Sequence, residues 1–278
     1  MHRQCVSTKS ALHSSWRGAV AALIAVLTLA PGALAQDVSN AAVQVHKLTL
    51  TATDQPQLDL HDLATSLEGH AYAPSQLDDL IQQKLRDDGY YFAHAETPQL
   101  ANAQNGAADV SVQIEAGDQY TTGEITFKKA AQFPKEQMRS LFPLVAGKVF
   151  NASSVQVGID KLKSLYEAQG FADVGAVPSI AVNEAKKIID VSIEVEEGYP
   201  YLFGQLTLQG AEPTPGASKT LLTAWSQIAG KRYNPAALKK WLTANAPKSV
   251  PGAPAIHPRA EGMANTDAHV MNILIVFE

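Results

Sequence analysis

Two carboxylate pairs, Asp87-Asp88 and Glu196-Glu197, are the residues of this 278-residue chain whose type and spacing best suit general acid–base chemistry. Each pair stands beside a glycine, Gly89 or Gly198, at the end of an expected element, so solvated chain ends are the expected reading of both. Imidazole offers metal or base chemistry, but no two of His46, His61, His70, His94, His257 and His269 lie two, three or four positions apart. Ligands drawn from distant positions are the only metal site left open, and surface histidines are expected. The chain past residue 35 carries no His-Glu-x-x-His, Gly-x-Ser-x-Gly, Ser-x-x-Lys, Gly-x-Gly-x-x-Gly or P-loop. No catalytic, cofactor-binding or metal residue is therefore expected, and an enzyme of unknown type is the rival reading from another class. A formal charge of −5 and a pI near 5.9 argue against nucleic acid as a partner, because phosphate binding needs an excess of Lys and Arg.

The elements that would position these groups begin after a leader. Arg3, Lys9 and Arg17 precede an apolar run from Gly18 to Ala30, Pro31-Gly32 breaks it, and Ala33-Leu34-Ala35 has small-x-small cleavage character. At about 1.5 Å per residue the run reaches roughly 20 Å, short of a bilayer core of about 30 Å. Residues 1–35 are thus expected to be a signal peptide cleaved after Ala35, which places the protein in the periplasm. Removing those 35 residues and their three basic side chains leaves 243 residues at a charge of −8, with Cys5 gone and no thiol or disulfide remaining.

Three landmarks recur at one period along the remainder. The pattern apolar-x-Gly-x-x-aromatic before a helix start appears at Gly69/Tyr72, Gly147/Phe150 and Gly230/Tyr233. Alternating strands open at Val110, Val191 and Met271, spaced 81 and 80 apart, and Pro98, Pro178 and Pro258 are 80 apart. The middle copy is the clearest. Alternation predicts a strand over 122–128, and Met138, Leu141 and Phe142 predict a helix over 134–144. Asn151 is suited to cap a second helix, whose Val155, Ile159, Leu162 and Tyr166 share a face and which Gly170-Phe171 ends. Strands over 173–182 and 188–196 complete a β-α-α-β-β unit, and Pro178 assigns the first of them to a sheet edge. Tyr72, Phe150 and Tyr233 are read as core anchors, and Asn151-Ala152-Ser153 as a cap more than a glycosylation sequon.

This order, with Gly-x-x-Phe-Asn, with Leu162, Tyr166, Gly170 and Phe171 at the helix end, and with Glu196-Glu197-Gly198 after the last strand, resembles a POTRA domain. The resemblance is strong in the second unit, good in the first through Leu85, Gly89, Tyr90 and Gly117, and weaker in the third, where 247–252 replaces the glycine–aromatic pair. It implies an α+β chain of three tandem domains, 36–117, 118–198 and a divergent 199–278. It also implies a periplasmic arm of outer-membrane barrel assembly or two-partner secretion, one that ends at Glu278 without a barrel. Its expected partners are an outer-membrane β-barrel protein or unfolded barrel strands, with a second copy of the chain as a further candidate. A divisome-type scaffold held by an uncleaved anchor is the rival of the same fold.

Two surfaces are candidates for binding. The first is the edge strand with Val174, Ala176, Val177 and Ile180, which offers main-chain groups to an extended peptide beside the second helix. The competing reading is that its proline only blunts an exposed edge. The second surface is on the last strand, where Leu274 and Val276 stand at positions that are polar in the other units: Gln113 and Glu115, then Glu194 and Glu196. Either a partner docks there or 247–266 folds back over it.

Overall fold

The computed structural model describes residues 41–212, 214–245 and 258–277, with the side chain of Pro258 left out. Three small sheets, each with a pair of helices, follow one another. The first comprises β1 (Val43–Ala52), α1 (His61–Leu67), β2 (Ala71–Tyr72), α2 (Pro74–Asp87), β3 (His94–Ala95), β4 (Gln99–Gln104) and β5 (Ala107–Glu115). The second comprises β6 (Thr121–Lys128), α3 (Lys135–Arg139), α4 (Ala152–Glu167), β7 (Gly175–Asn183) and β8 (Ile188–Glu196). The third comprises β9 (Leu202–Gly210), α5 (Ala217–Trp225), α6 (Pro235–Asn245), β10 (Pro258–Asn265) and β11 (Val270–Phe277).

In each sheet the opening strand runs parallel to the closing one: β1 with β5, β6 with β8, β9 with β11. A parallel pair needs a crossover, which the helix pair supplies. The strand between them in sequence returns antiparallel on the outer side, giving the orders β6-β8-β7 and β9-β11-β10. Pro178 and Pro258 lie in the outer strands β7 and β10, as their missing N–H requires, and Pro98 immediately precedes the outer strand β4.

The closing strands alternate buried and exposed side chains because one face lies under the helices. In the second domain Ile189, Val191, Ile193 and Val195 meet Val155, Ile159, Leu162 and Tyr166 of α4 in one core. Asn151 caps α4 through Oδ1, which accepts from Ser154 N at 2.8 Å. Gly147, Gly69 and Gly230 have φ of 76°, 77° and 73° with open space around them, so backbone geometry explains their recurrence. Gly158 is a glycine for a different reason: a Cβ there would stand 2.0 Å from the Phe142 ring.

Two expected elements differ. The helix expected over 134–144 is Lys135–Arg139 only. Phe142 precedes Pro143, which disfavours helical backbone, and the Arg139 guanidinium donates to the carbonyls of Phe142 and Leu144 instead. Met138 and Phe142 are nevertheless buried. The strand expected over 173–182 is Gly175–Asn183.

Candidate functional site

β7 is hydrogen-bonded to β8 on one side, in a register unbroken from Gly175↔Glu196 to Asn183↔Ile188. Pro178 cannot donate, so continuity of that ladder turns its nitrogen away from β8. Residues of the same parity, Ala176, Ile180 and Val182, therefore point their N–H and C=O groups out of the sheet. No backbone partner meets them among the described residues. Their side chains are half-buried against the core beneath α4, so the open edge runs beside that helix.

Two of the expected edge residues are corrected by this geometry. Val174 precedes the strand and is buried at 9% exposure, and Val177, 62% exposed, has the opposite parity, its amide turned to β8 and its side chain to solvent. Ala176 and Ile180 lie at outward-facing positions of β7, as does Val182.

Leu274 and Val276 lie on the face of β11 away from the helices and are half-buried. β10 runs beside them in the plane of the sheet, pairing Glu261 with Leu274 and Arg259 with Val276, and does not cover them from above. Residues 258–265 thus do not fold back over that face; 247–257 lie outside the described residues.

Two joints link the domains. Tyr120 N donates to Gly89 O at 2.9 Å, and Tyr201 N donates to Gly170 O at 2.8 Å. While Asn151 Oδ1 caps α4, its Nδ2 donates to Asp87 O at the end of α2 (3.0 Å). Asn234 repeats this, with Oδ1 accepting from Ala237 N and Nδ2 donating to Ala168 O at 2.9 Å. One asparagine per joint starts its own helix and holds the end of the preceding domain's helix.

The carboxylate pairs are corrected here. Asp87 is no solvated end: its two oxygens accept from Ser153 N at 2.7 Å and Ser153 Oγ at 2.9 Å, so it adds a second cap to α4 from the neighbouring domain. Glu197 accepts from Ala131 N at 2.6 Å, Gln132 N at 2.9 Å and the Tyr166 hydroxyl at 2.7 Å. Asp88 and Glu196 are exposed. Among the described residues no three His, Asp or Glu side chains converge as a metal cluster would require.

Residues 120–198 match the family model of the POTRA domain, described as surface antigen variable number repeat. The second domain is a POTRA domain. No curated protein sequence matches the chain. Among solved structures, POTRA3-5 of BamA from Haemophilus influenzae is similar with a TM-score of 0.57 over 85% of this chain and 97% of its own. At 14% identity that likeness shows the fold alone, one that resembles POTRA domains in tandem. POTRA1-3 of the periplasmic domain of Omp85 from Anabaena covers 86% of this chain and 96% of its own at 16% identity, but a TM-score of 0.35 carries no argument.

Its three hydrogen bonds give Glu197 a structural role. Burial alone would raise its carboxyl pKa; donors from Gln132, Tyr166 and Ala131 outweigh burial and hold it below the ordinary range. The same carboxylate, after burial, keeps the Tyr166 hydroxyl protonated. In the first domain the clamp is reversed: Asp54, on the loop after β1, accepts from Ala116 N at 2.9 Å and Gly117 N at 2.7 Å at the end of β5. Those two bonds draw the Asp54 pKa down. The signal missed in the sequence is this exchange, Asp54 with Ala116 in one POTRA fold against Ala131 with Glu197 in the next.

Proposed function

We propose that the chain is a non-enzymatic periplasmic scaffold for outer-membrane protein assembly or secretion, which takes up an extended segment, such as an unfolded strand of a β-barrel protein, along β7. The observation that supports this reading is the open edge, with outward groups at Ala176, Ile180 and Val182 beside α4. Main-chain hydrogen bonds recognise an extended chain with little regard to its sequence, as a client of many barrel strands demands. Pro178 removes the central donor, so an incoming strand engages Ala176 on one side of it and Ile180 and Val182 on the other. Titration with extended peptides of alternating apolar residues should shift the amides of 175–183, and Ala176→Pro should weaken binding by removing a donor. Shifts confined to other surfaces would refute the edge reading.

The face carrying Leu274 and Val276 is the proposed contact for a barrel subunit. Covering the rest of these half-buried side chains contributes about 1.5–3 kcal/mol in all. Leu274→Glu with Val276→Glu should abolish association in envelope pull-downs and leave the melting temperature nearly unchanged. Unfolding of the third domain would show them to be core, and a concentration-dependent dimer lost in the variant would name a second copy as the occupant. Export with cleavage after Ala35 belongs to the same proposal; N-terminal sequencing that finds residues 1–30 retained would favour an anchored scaffold.

A further inference from the structure

Charge is distributed very unevenly over the three domains. Residues 36–117 hold twelve acidic and three basic side chains, 118–198 eleven and nine, and 199–278 four and seven, which gives −9, −2 and +3. Between Glu212 and Glu261 there is no acidic residue at all, while seven Lys and Arg fall in that interval. The described part of this interval is the helix layer of the third domain, with the first residues of β10.

Ala217, Leu221 and Trp225 of α5 and Leu238 and Trp241 of α6 are buried on the sheet. Helical geometry then turns Lys219, Lys239 and Lys240 to the opposite, exposed side. Lys231 is exposed on the loop between the two helices. None of these four lysines has a carboxylate partner among the described residues. Around them the layer exposes uncharged groups: Ala236, Thr243 and Leu222, the last 50% exposed. The other domains differ, since α2 exposes Asp79 and α4 exposes Asp160 among their basic residues.

We infer that the helix layer of the third domain is a docking surface for an anionic phospholipid membrane. Unpaired ammonium groups on the exposed sides of two helices and on the loop joining them, with the exposed apolar Leu222 on the first helix, match a sheet of phosphate headgroups above hydrocarbon. Each lysine near such a surface strengthens binding about fivefold. The −9 first domain is repelled by the same surface, so the field turns the molecule with its third domain toward lipid. The inference rests on this charge pattern and stands whether or not β7 binds peptide.

The test is co-sedimentation of the full chain with phosphatidylcholine vesicles, with and without phosphatidylglycerol. The apolar run at 18–30 meets both vesicle types alike, while Arg3, Lys9 and Arg17 ahead of it favour phosphatidylglycerol equally in every variant, so the loss on changing third-domain lysines is what reports the basic layer. Binding should be stronger with phosphatidylglycerol and should fall as salt shortens the screening length from about 10 Å at 0.1 M to about 3 Å at 1 M. Lys239→Glu with Lys240→Glu should lower the phosphatidylglycerol-dependent partition at least about 25-fold. The same reversal at Lys128 and Lys161 of the second domain should cost far less. Should the first pair disturb folding by circular dichroism, Lys219→Gln with Lys231→Gln provides the reading. Equal binding to both vesicles, full binding by the third-domain variants, or an equal loss from the second-domain control would overturn the inference. Salt-sensitive self-association in place of lipid binding would overturn it too, naming the acidic first domain of another copy as the occupant.

Discussion

The two joints share one backbone plan and fill it with different chemistry. Both close on a glycine carbonyl and an asparagine, yet Phe92 in the first joint stands where the second has Asp173, and Tyr91 where the second has Ala172. In the first, Tyr91 meets Phe150 edge-on at 5.8 Å and Phe92 meets Tyr120 at 5.7 Å. In the second, the Tyr201 hydroxyl donates to Asp173 and Arg232 donates to Gln169 O at 3.0 Å. The residue closing the hairpin beside each joint follows suit: Lys187 pairs with Asp118 and sits 5.7 Å from the Tyr120 ring centroid, and His269 stacks on Tyr199 at 4.5 Å. Repeated backbone bonds can thus set where two domains meet, while the side chains decide how firmly and under what conditions they stay together.

The most damaging way to break either joint is a Cβ at its glycine. Gly89 and Gly170 have φ of 87° and 89°, and an added Cβ would stand 2.9 Å from Tyr120 O or 3.0 Å from Tyr201 O. Gly89→Ala and Gly170→Ala should each cost about 1–3 kcal/mol in urea unfolding. Gly89→Ala should cost more, because its nearest obstacle is the short Val149 side chain and that of Gly170 is the flexible Arg232 stem. Tyr91→Ala comes next, at about 1–3 kcal/mol for two ring contacts, and should loosen the first joint alone. Distances between spin labels on the first and second domains should broaden while those across the second joint stay narrow.

Asn151→Ala and Asn234→Ala each remove a cap and a bond across the joint, about 1–2 kcal/mol. The Asn151 variant should lose less helix, since Asp87 still caps α4 from outside, and Asn151→Ala with Asp87→Ala should exceed the sum of the single changes. The smallest effect concerns pH. The Tyr201 pKa is raised by its hydrogen bond to Asp173 and then by burial, so the neutral hydroxyl is favoured in the folded chain. Its contribution is complete below the unfolded value of about 10 and is lost as pH rises through the folded one. Tyrosinate absorbance followed together with label distances should show the second joint opening in that alkaline range, and Asp173→Asn should lower the pH at which it does.

The sequence by itself determined the repeat, the order of elements, the buried face of α4, the cap at Asn151 and the outer placement of β7. Each depends on spacing within one element or on a local backbone demand that a proline or a positive-φ glycine satisfies. It placed Ala176 and Ile180 on an edge but misjudged Val174 and Val177, because edge parity is set by the ladder with β8 and strand ends are the least local part of a strand. Only the tertiary structure decided what the carboxylates do. Asp87 and Ser153 are 66 positions apart, as are Glu197 and Ala131, and no periodicity links them. A carboxylate beside a glycine reads as a solvated end until folding brings unpaired amide donors against it, and whether those donors come from its own domain or the next is settled by how the domains stack.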